Sequence, residues 1–131
     1  MKIVLDASAA IEIVLNKLDA SEFSEIISKA EIVIAPELFI SEISNVAWKY
    51  YKLANFSEQQ AVELANNSMQ LIDYTVPAET IWQESLGLAM SNNQAVYDCL
   101  YLVCARRNNA VLISKDKRLK ALCKKLEVKY L

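Results

Sequence analysis

Short β-rich runs set apart by helix-length segments constrain this chain more than any other feature. “KIVLD”, “EIVIAP”, “DYTVP” and “AVLIS” are such runs, and “VKYL” at the end reads as a last strand. Strands separated by helices that fit crossover connections lie parallel, with helices covering both faces. The pattern predicts an α/β fold, a three-layer α/β/α sandwich with a mainly parallel central sheet. In such sheets the functional crevice lies outside the carboxyl ends of the strands. Asp6 stands just beyond the first run, and Ser114 and Asp116 just beyond “AVLI”.

The segments between carry helix signals. “SAAIEIVLN” is expected to be capped by Ser8, and “SEFSEIISKA” to open with a capping box of Ser21 and Ser24 against Glu22 and Glu25. “ELFISEISNVAWKYYKLA” is a long helix with Pro36 at its start, and “SEQQAVELANNSMQLI” a helix with Ser57 as N-cap. “AETIWQESLGLAMSNN”, “QAVYDCLYLVCARRN” and “DKRLKALCKKL” complete the set. Gly87 is the only glycine, and Pro36 and Pro77 are the only prolines, so turns are few and helices many. No repeat or linker divides the 131 residues, which are expected to form a single domain, 1–131.

No apolar run approaches the roughly 18 residues of a membrane span. “MKIVLDASAA” is a poor secretory signal because Asp6 interrupts its apolar run, so the cytoplasm is the expected compartment. The chain has no histidine, which excludes Ser-His-Asp and Cys-His triads and any imidazole base. Its three cysteines lack CxxC spacing, and Cys99 and Cys104 read as small core residues. Chemistry here must run on carboxylates, hydroxyls, lysines or a bound metal.

Four acids stand out: Asp6 and Asp116 at strand ends, Glu42 in the long helix, and Asp98 in an apolar helix. An unpartnered carboxylate in such a place costs several kcal/mol of lost hydration. Glu42 has Leu38, Phe39, Ile43, Val46 and Ala47 around it. Taken singly, each acid could be a cap or a surface carboxylate. Jointly, Asp6 and Asp98 both interrupt stretches expected to be buried. Converging carboxylates raise one another's pKa unless a cation intervenes. Oxygen-only ligation with water-filled vacancies is what Mg²⁺ or Mn²⁺ prefers.

“IVLDASAAI”, “APELFISEISNVAWKY”, “AVYDCLYLVCA” and “LISKDKRL” resemble, in order and spacing, the PIN-domain ribonucleases, and most closely the VapC-type toxins of toxin–antitoxin pairs. The resemblance covers essentially the whole chain. It implies a PIN-like fold and an acidic pocket of Asp6, Glu42, Asp98 and Asp116, catalytic and metal-binding, with Mg²⁺ or Mn²⁺ as cofactor. Ser114 stands where the family places Thr or Ser, and Ser8 and Asn45 match polar positions beside the first two acids. The implied activity is metal-dependent endonucleolytic cleavage of RNA that leaves a 5′-phosphate and a 3′-hydroxyl. The implied partners are RNA, a cognate antitoxin and a second copy of the chain.

Residues 1–98 carry 5 basic and 14 acidic side chains, a net of −9, whereas 99–131 carry 9 basic and 2 acidic, a net of +7. Such a basic stretch is either a solvated face or a polyanion footprint. Lys115, Lys117 and Arg118 flank the expected crevice and are candidate RNA phosphate contacts. Trp48, Tyr51 and Trp82 are the candidate partner contacts, because the long helix is apolar on more than one face. Two rival folds fit less well: a receiver domain wants paired acids after the first strand, and a haloacid-dehalogenase-type phosphatase wants Asp-x-Asp, where this chain has Asp6-Ala7-Ser8. A non-catalytic module that binds RNA or protein fits the same fold.

Overall fold

The computed structural model describes all 131 residues. Strand β1 (Lys2–Leu5) runs through the middle of the sheet, and its Ile3, Val4 and Leu5 are fully buried. Burial on both faces is why this run is continuously apolar rather than alternating. β2 (Ile32–Pro36), β3 (Tyr74–Val76) and β4 (Val111–Ile113) complete a sheet in the order β3-β2-β1-β4, with every pairing parallel. Val4 pairs with Ile34 on one side and Leu112 on the other.

Helices α1 (Ala7–Val14) and α2 (Ala20–Ser28) connect β1 to β2, while α3 (Leu38–Leu53) and α4 (Glu58–Met69) connect β2 to β3. Then α5 (Trp82–Asn92) and α6 (Val96–Arg107) carry the chain to β4, and α7 (Lys117–Lys125) follows. The strands' alternating side chains separate the two cores. Ile3, Leu5, Val33, Ala35 and Ile113 pack on α1, α3 and α4 through Ile11, Phe39, Ile43 and Leu64. Val4, Ile34 and Leu112 pack on α6 and α7 through Leu102, Val103, Leu119 and Cys123. The result is the expected three-layer α/β/α sandwich.

The connections after β1 and β2 lie on one face, and the connection into β4 lies on the other. The strand order therefore reverses between β1 and β4, and a crevice opens beyond their carboxyl ends.

Local details differ from the sequence expectation. Asp6, not Ser8, caps α1: its carboxylate accepts from the Ala9 amide at 2.9 Å, and Ser8 sits inside the first turn. The N-cap of α2 is Asp19, with no side-chain cap bond, because its carboxylate is turned to Lys115; Ser21 and Ser24 lie within the helix. Pro36 ends β2 instead of starting α3. A short 3₁₀ turn, Ala78–Thr80, precedes α5. “VKYL” contributes one parallel bridge, Leu112 to Tyr130, not a full strand. The Ser57 capping box is present, with Ser57 and Gln60 bonded reciprocally at 3.0 and 2.8 Å. Cys99, Cys104 and Cys123 are core residues, and burial pushes the thiols of Cys104 to about 12 and Cys123 to about 11.

Asparagine does the work of the missing glycines. Asn16, Asn55, Asn93 and Asn109 all hold positive φ, and Asn93 closes α5 in the left-handed conformation. Asn tolerates that region better than other side chains bearing a Cβ.

Candidate active site

Asp6 and Asp116 follow β1 and β4 at the crevice, and Glu42 and Asp98 come near enough for the charges of Asp6, Asp98 and Asp116 to act on Glu42. Asp6 follows β1 and is 5% exposed, in a cage of donors: the Ala9 amide, the Ser8 hydroxyl at 2.8 Å and the Ser114 hydroxyl. Burial pushes its carboxyl up to about 6, the three hydrogen bonds pull it down, and the Asp116 charge pushes it up again. Ser114 is fully buried at the end of β4, and its oxygen also accepts the Asp116 amide at 2.8 Å. The hydroxyl thus ties the ends of two strands to two acids. Asp116 in turn caps α7, accepting the Arg118 amide at 2.9 Å.

Glu42 projects from α3, half-buried. Burial raises its carboxyl above the ordinary range; a hydrogen bond from Tyr101 opposes that, and the charges of Asp6, Asp98 and Asp116 add to the rise. That Glu42 feels the other three acids is the most direct sign that the four share one electrostatic site. The Tyr101 hydroxyl donates to Oε1 of Glu42 at 2.5 Å, leaving Oε2 without a protein partner. Tyr101 is 3% exposed, and burial followed by the Glu42 charge raises its phenol well above the ordinary value, so it remains a donor. The sequence reading missed Tyr101, because a tyrosine inside “CLYLVCA” is indistinguishable from a core aromatic.

Asp98 lies in the first turn of α6, where a negative charge suits the helix dipole. The Gln94 amide donates to its Oδ2 at 3.2 Å, and the Arg118 guanidinium stands 3.9 Å from the same oxygen. Local partners therefore meet part of this carboxylate's need for donors in an apolar helix.

Oxygen is the only donor type in the pocket, which suits a hard divalent cation. No three acidic or cysteine side chains are drawn together tightly enough to chelate an ion unaided. Mg²⁺ commonly keeps several waters and takes only one or two carboxylates directly, so the donor set fits it with water completing the shell.

The other predicted residues divide. Ser8 donates to Asp6 and accepts the Lys115 amide at 2.9 Å, so it braces the site. Asn45 is exposed on α3 and makes no hydrogen bond to the acids. Lys115 is not free for a phosphate: its ammonium pairs with Asp19 and stands 3.8 Å from Glu12. A nearby carboxylate pair attracts the ammonium more strongly than bulk solvent does, and Glu12, 8% exposed inside α1, gives no sign of this in sequence. Lys117 and Arg118 point into solvent at the start of α7.

A cleft of about 420 Å³ lies away from the acids, between α3 and α4, and is lined by Trp48, Val62 and Met69 among others. Trp48 is 57% exposed there, and Tyr51, 44% exposed, lines an adjoining cleft with Trp48, Ala61 and Val62. Trp82, 52% exposed, is on α5 and lines neither cleft. No helix is long and apolar enough to cross a membrane.

Residues 3–125 match the PIN domain family. Ribonuclease VapC3 of Pyrobaculum aerophilum is 23% identical over 125 residues, spanning 91% of this chain and 92% of the relative. Among solved structures, PAE2754 of Pyrobaculum aerophilum superposes with a TM-score of 0.72 at 23% identity, covering 93% of this chain and 87% of that one. VapBC2 of Rickettsia felis, bound to a promoter DNA fragment, gives 0.69 at 11% identity over 100% and 98%. VapBC-1 of nontypeable Haemophilus influenzae gives 0.66 at 14% identity over 100% and 97%.

Proposed function

The chain belongs to the PIN domain family, and on that premise we propose that it is a metal-dependent endoribonuclease, the toxin of a toxin–antitoxin pair. The ribonuclease name of the Pyrobaculum relative and the paired toxin–antitoxin structures support this reading. The observation that carries it is geometric: Ser114 joins Asp6 and Asp116 by hydrogen bonds, with Glu42 near enough for both charges to act on it. Structural carboxylates gain nothing from such crowding, whereas a cation site requires it.

Asp6, Glu42, Asp98 and Asp116 would hold Mg²⁺ or Mn²⁺. When bound, the ion supplies Lewis acidity at the scissile phosphate and a water of lowered pKa. Ser114 and Ser8 fix the orientation of Asp6, and Tyr101 fixes one oxygen of Glu42. Lys117 and Arg118 stand at the rim as phosphate contacts that position RNA without reading it. The apolar α3–α4 cleft, with Trp48 and Tyr51, is the surface offered to an antitoxin or to a second copy in a homodimer.

The test is cleavage of end-labelled RNA by the intact protein with Mn²⁺, compared with Asp98→Asn. Cleavage by the parent and at least a roughly hundredfold loss in the variant, with an unchanged melting curve, is expected. A parent that leaves RNA intact, or an Asp98→Asn protein that cuts as well, overturns the enzyme in favour of a binding module.

A further inference from the structure

Ser114 and Asp116 are tied to each other and to Asp6, but Lys115, the residue between them, is held from outside the site. Its backbone N–H donates to the Ser8 hydroxyl at 2.9 Å, and that hydroxyl donates to Asp6 at 2.8 Å. Its side chain crosses to the turn between α1 and α2, where the ammonium pairs with Asp19 and stands 3.8 Å from Glu12. Glu12 in turn accepts the Asp19 backbone N–H at 2.9 Å. One acid thus shapes the turn that presents the other.

These contacts close a ring. From Asp6 it runs through Ser8 to the Lys115 backbone and along the side chain to Asp19. It then passes to Glu12 and returns down α1 to Asp6, which caps that helix. With the Lys115 and Asp19 side chains 37% and 34% exposed, their ion pair contributes little to folding. What it constrains is geometry: the segment bearing Ser114 and Asp116 is pinned to the helix that begins at Asp6. Carboxylates from two strand ends can share an ion only while their ends stay in register, and contacts one step out from the ligands keep such groups oriented.

We propose that Lys115, Asp19 and Glu12 form a positioning clamp that keeps Asp116 in register with Asp6 for a shared divalent cation. The clamp rests on the metal-dependent reading of the site and adds to it three residues that act through Asp116. Simple electrostatics and the clamp differ in sign. By charge alone, losing the Lys115 ammonium removes a repulsion and tightens cation binding, whereas losing the Asp19 carboxylate weakens it. A clamp loses its grip from either end, so both losses weaken binding.

The experiment titrates Mn²⁺ into the intact protein without RNA, well below its melting temperature, and reads free Mn²⁺ by electron paramagnetic resonance. Lys115→Met keeps most of the side chain's length, and Asp19→Asn keeps its shape. Each is expected to weaken Mn²⁺ binding at least about threefold, short of the roughly ten- to hundredfold lost when a ligand's direct outer partner is removed. The double variant binds within about twofold of the weaker single one, because the two side chains act as one unit. Lys29→Met breaks the Glu25 pair at the end of α2, beside the amino ends of the strands, and leaves binding within about twofold. Tighter or unchanged binding by Lys115→Met, unchanged binding by Asp19→Asn, or losses that add in the double variant overturn the clamp. A parent that binds no Mn²⁺ overturns the metal reading and the clamp together, whereas a parent and variants that bind equally well overturn the clamp alone.

Discussion

Tyr101→Phe removes one oxygen from a side chain that is 3% exposed and keeps the ring that packs among Leu100, Leu102 and Val103. The lost hydroxyl is the protein's only hydrogen-bond donor to Glu42. A hydrogen bond to a charged group contributes about 1.5–3 kcal/mol net, more than a neutral pair. If all of that is felt in the transition state, at about 1.4 kcal/mol per factor of ten, cleavage slows about ten- to a hundredfold. A second effect runs in a known direction. Burial and three neighbouring acids already hold the Glu42 carboxyl above its ordinary range, and Tyr101 is the one contact opposing them. Without it Glu42 ionises less readily, so the acid limb of the pH–rate profile moves to higher pH and more Mn²⁺ is needed for half-maximal rate. The assay is initial-rate cleavage of labelled RNA over pH and Mn²⁺ concentration, beside thermal melts. In a Glu42→Gln background Tyr101→Phe has nothing left to hold and adds less than about twofold. A Tyr101→Phe protein within twofold of the parent at every pH, with the same metal midpoint, refutes the reasoning.

Two further outcomes follow from the buried acid and the occupied lysine. In the metal-free protein Asp6 has a folded pKa of about 6, above the ordinary 3.8, so its protonated form is the one that folding favours. Stability it contributes is complete below about pH 4 and is lost as pH rises through about 6, on the order of 3 kcal/mol. Urea unfolding in EDTA between pH 4 and pH 7 is expected to weaken less steeply for Asp6→Asn than for the parent, and equal slopes contradict the assignment; added Mn²⁺ restores stability above pH 6. Lys115→Ala is expected to lower the melting temperature slightly and to leave RNA affinity within about twofold, because the ammonium serves Asp19 and Glu12. An affinity loss of more than about threefold would show that Lys115 reaches the phosphate after all.

The architecture was legible because its signals are periodic. “KIVLD” and “AVLIS” are apolar on both faces, and only a central parallel strand needs that. Asp6 and Asp98 were legible for the opposite reason, as charges breaking apolar stretches. Glu42 could be found because it stands off its helix's pattern. What could not be read depends on which of two equivalent partners geometry selects. Ser8 and Asp6 are both good caps, two residues apart, and the end of β1 aims the carboxylate, not the hydroxyl, at the Ala9 amide. Lys115 stands in sequence beside Lys117 and Arg118, yet the turn between α1 and α2 brings Asp19 against it. Tyr101 was hidden by its apolar neighbours. The asparagine turns were masked by attention to glycine and proline.

Asp6 and Asp116 each do two jobs, since each also caps the helix that follows it. Random drift therefore meets unequal resistance across the four acids. At Asp6 or Asp116 most replacements take about 0.5–2 kcal/mol from a helix start as well as, on the proposed function, silencing the chemistry, while asparagine would silence it and still cap. Glu42 and Asp98 cap no helix, although Glu42 accepts the buried Tyr101 hydroxyl and Asp98 suits the α6 dipole. A silenced descendant of this chain that survives as a binding protein would accordingly keep Asp or Asn at 6 and 116, keep at 42 an acceptor for the buried Tyr101 hydroxyl, and vary most at 98.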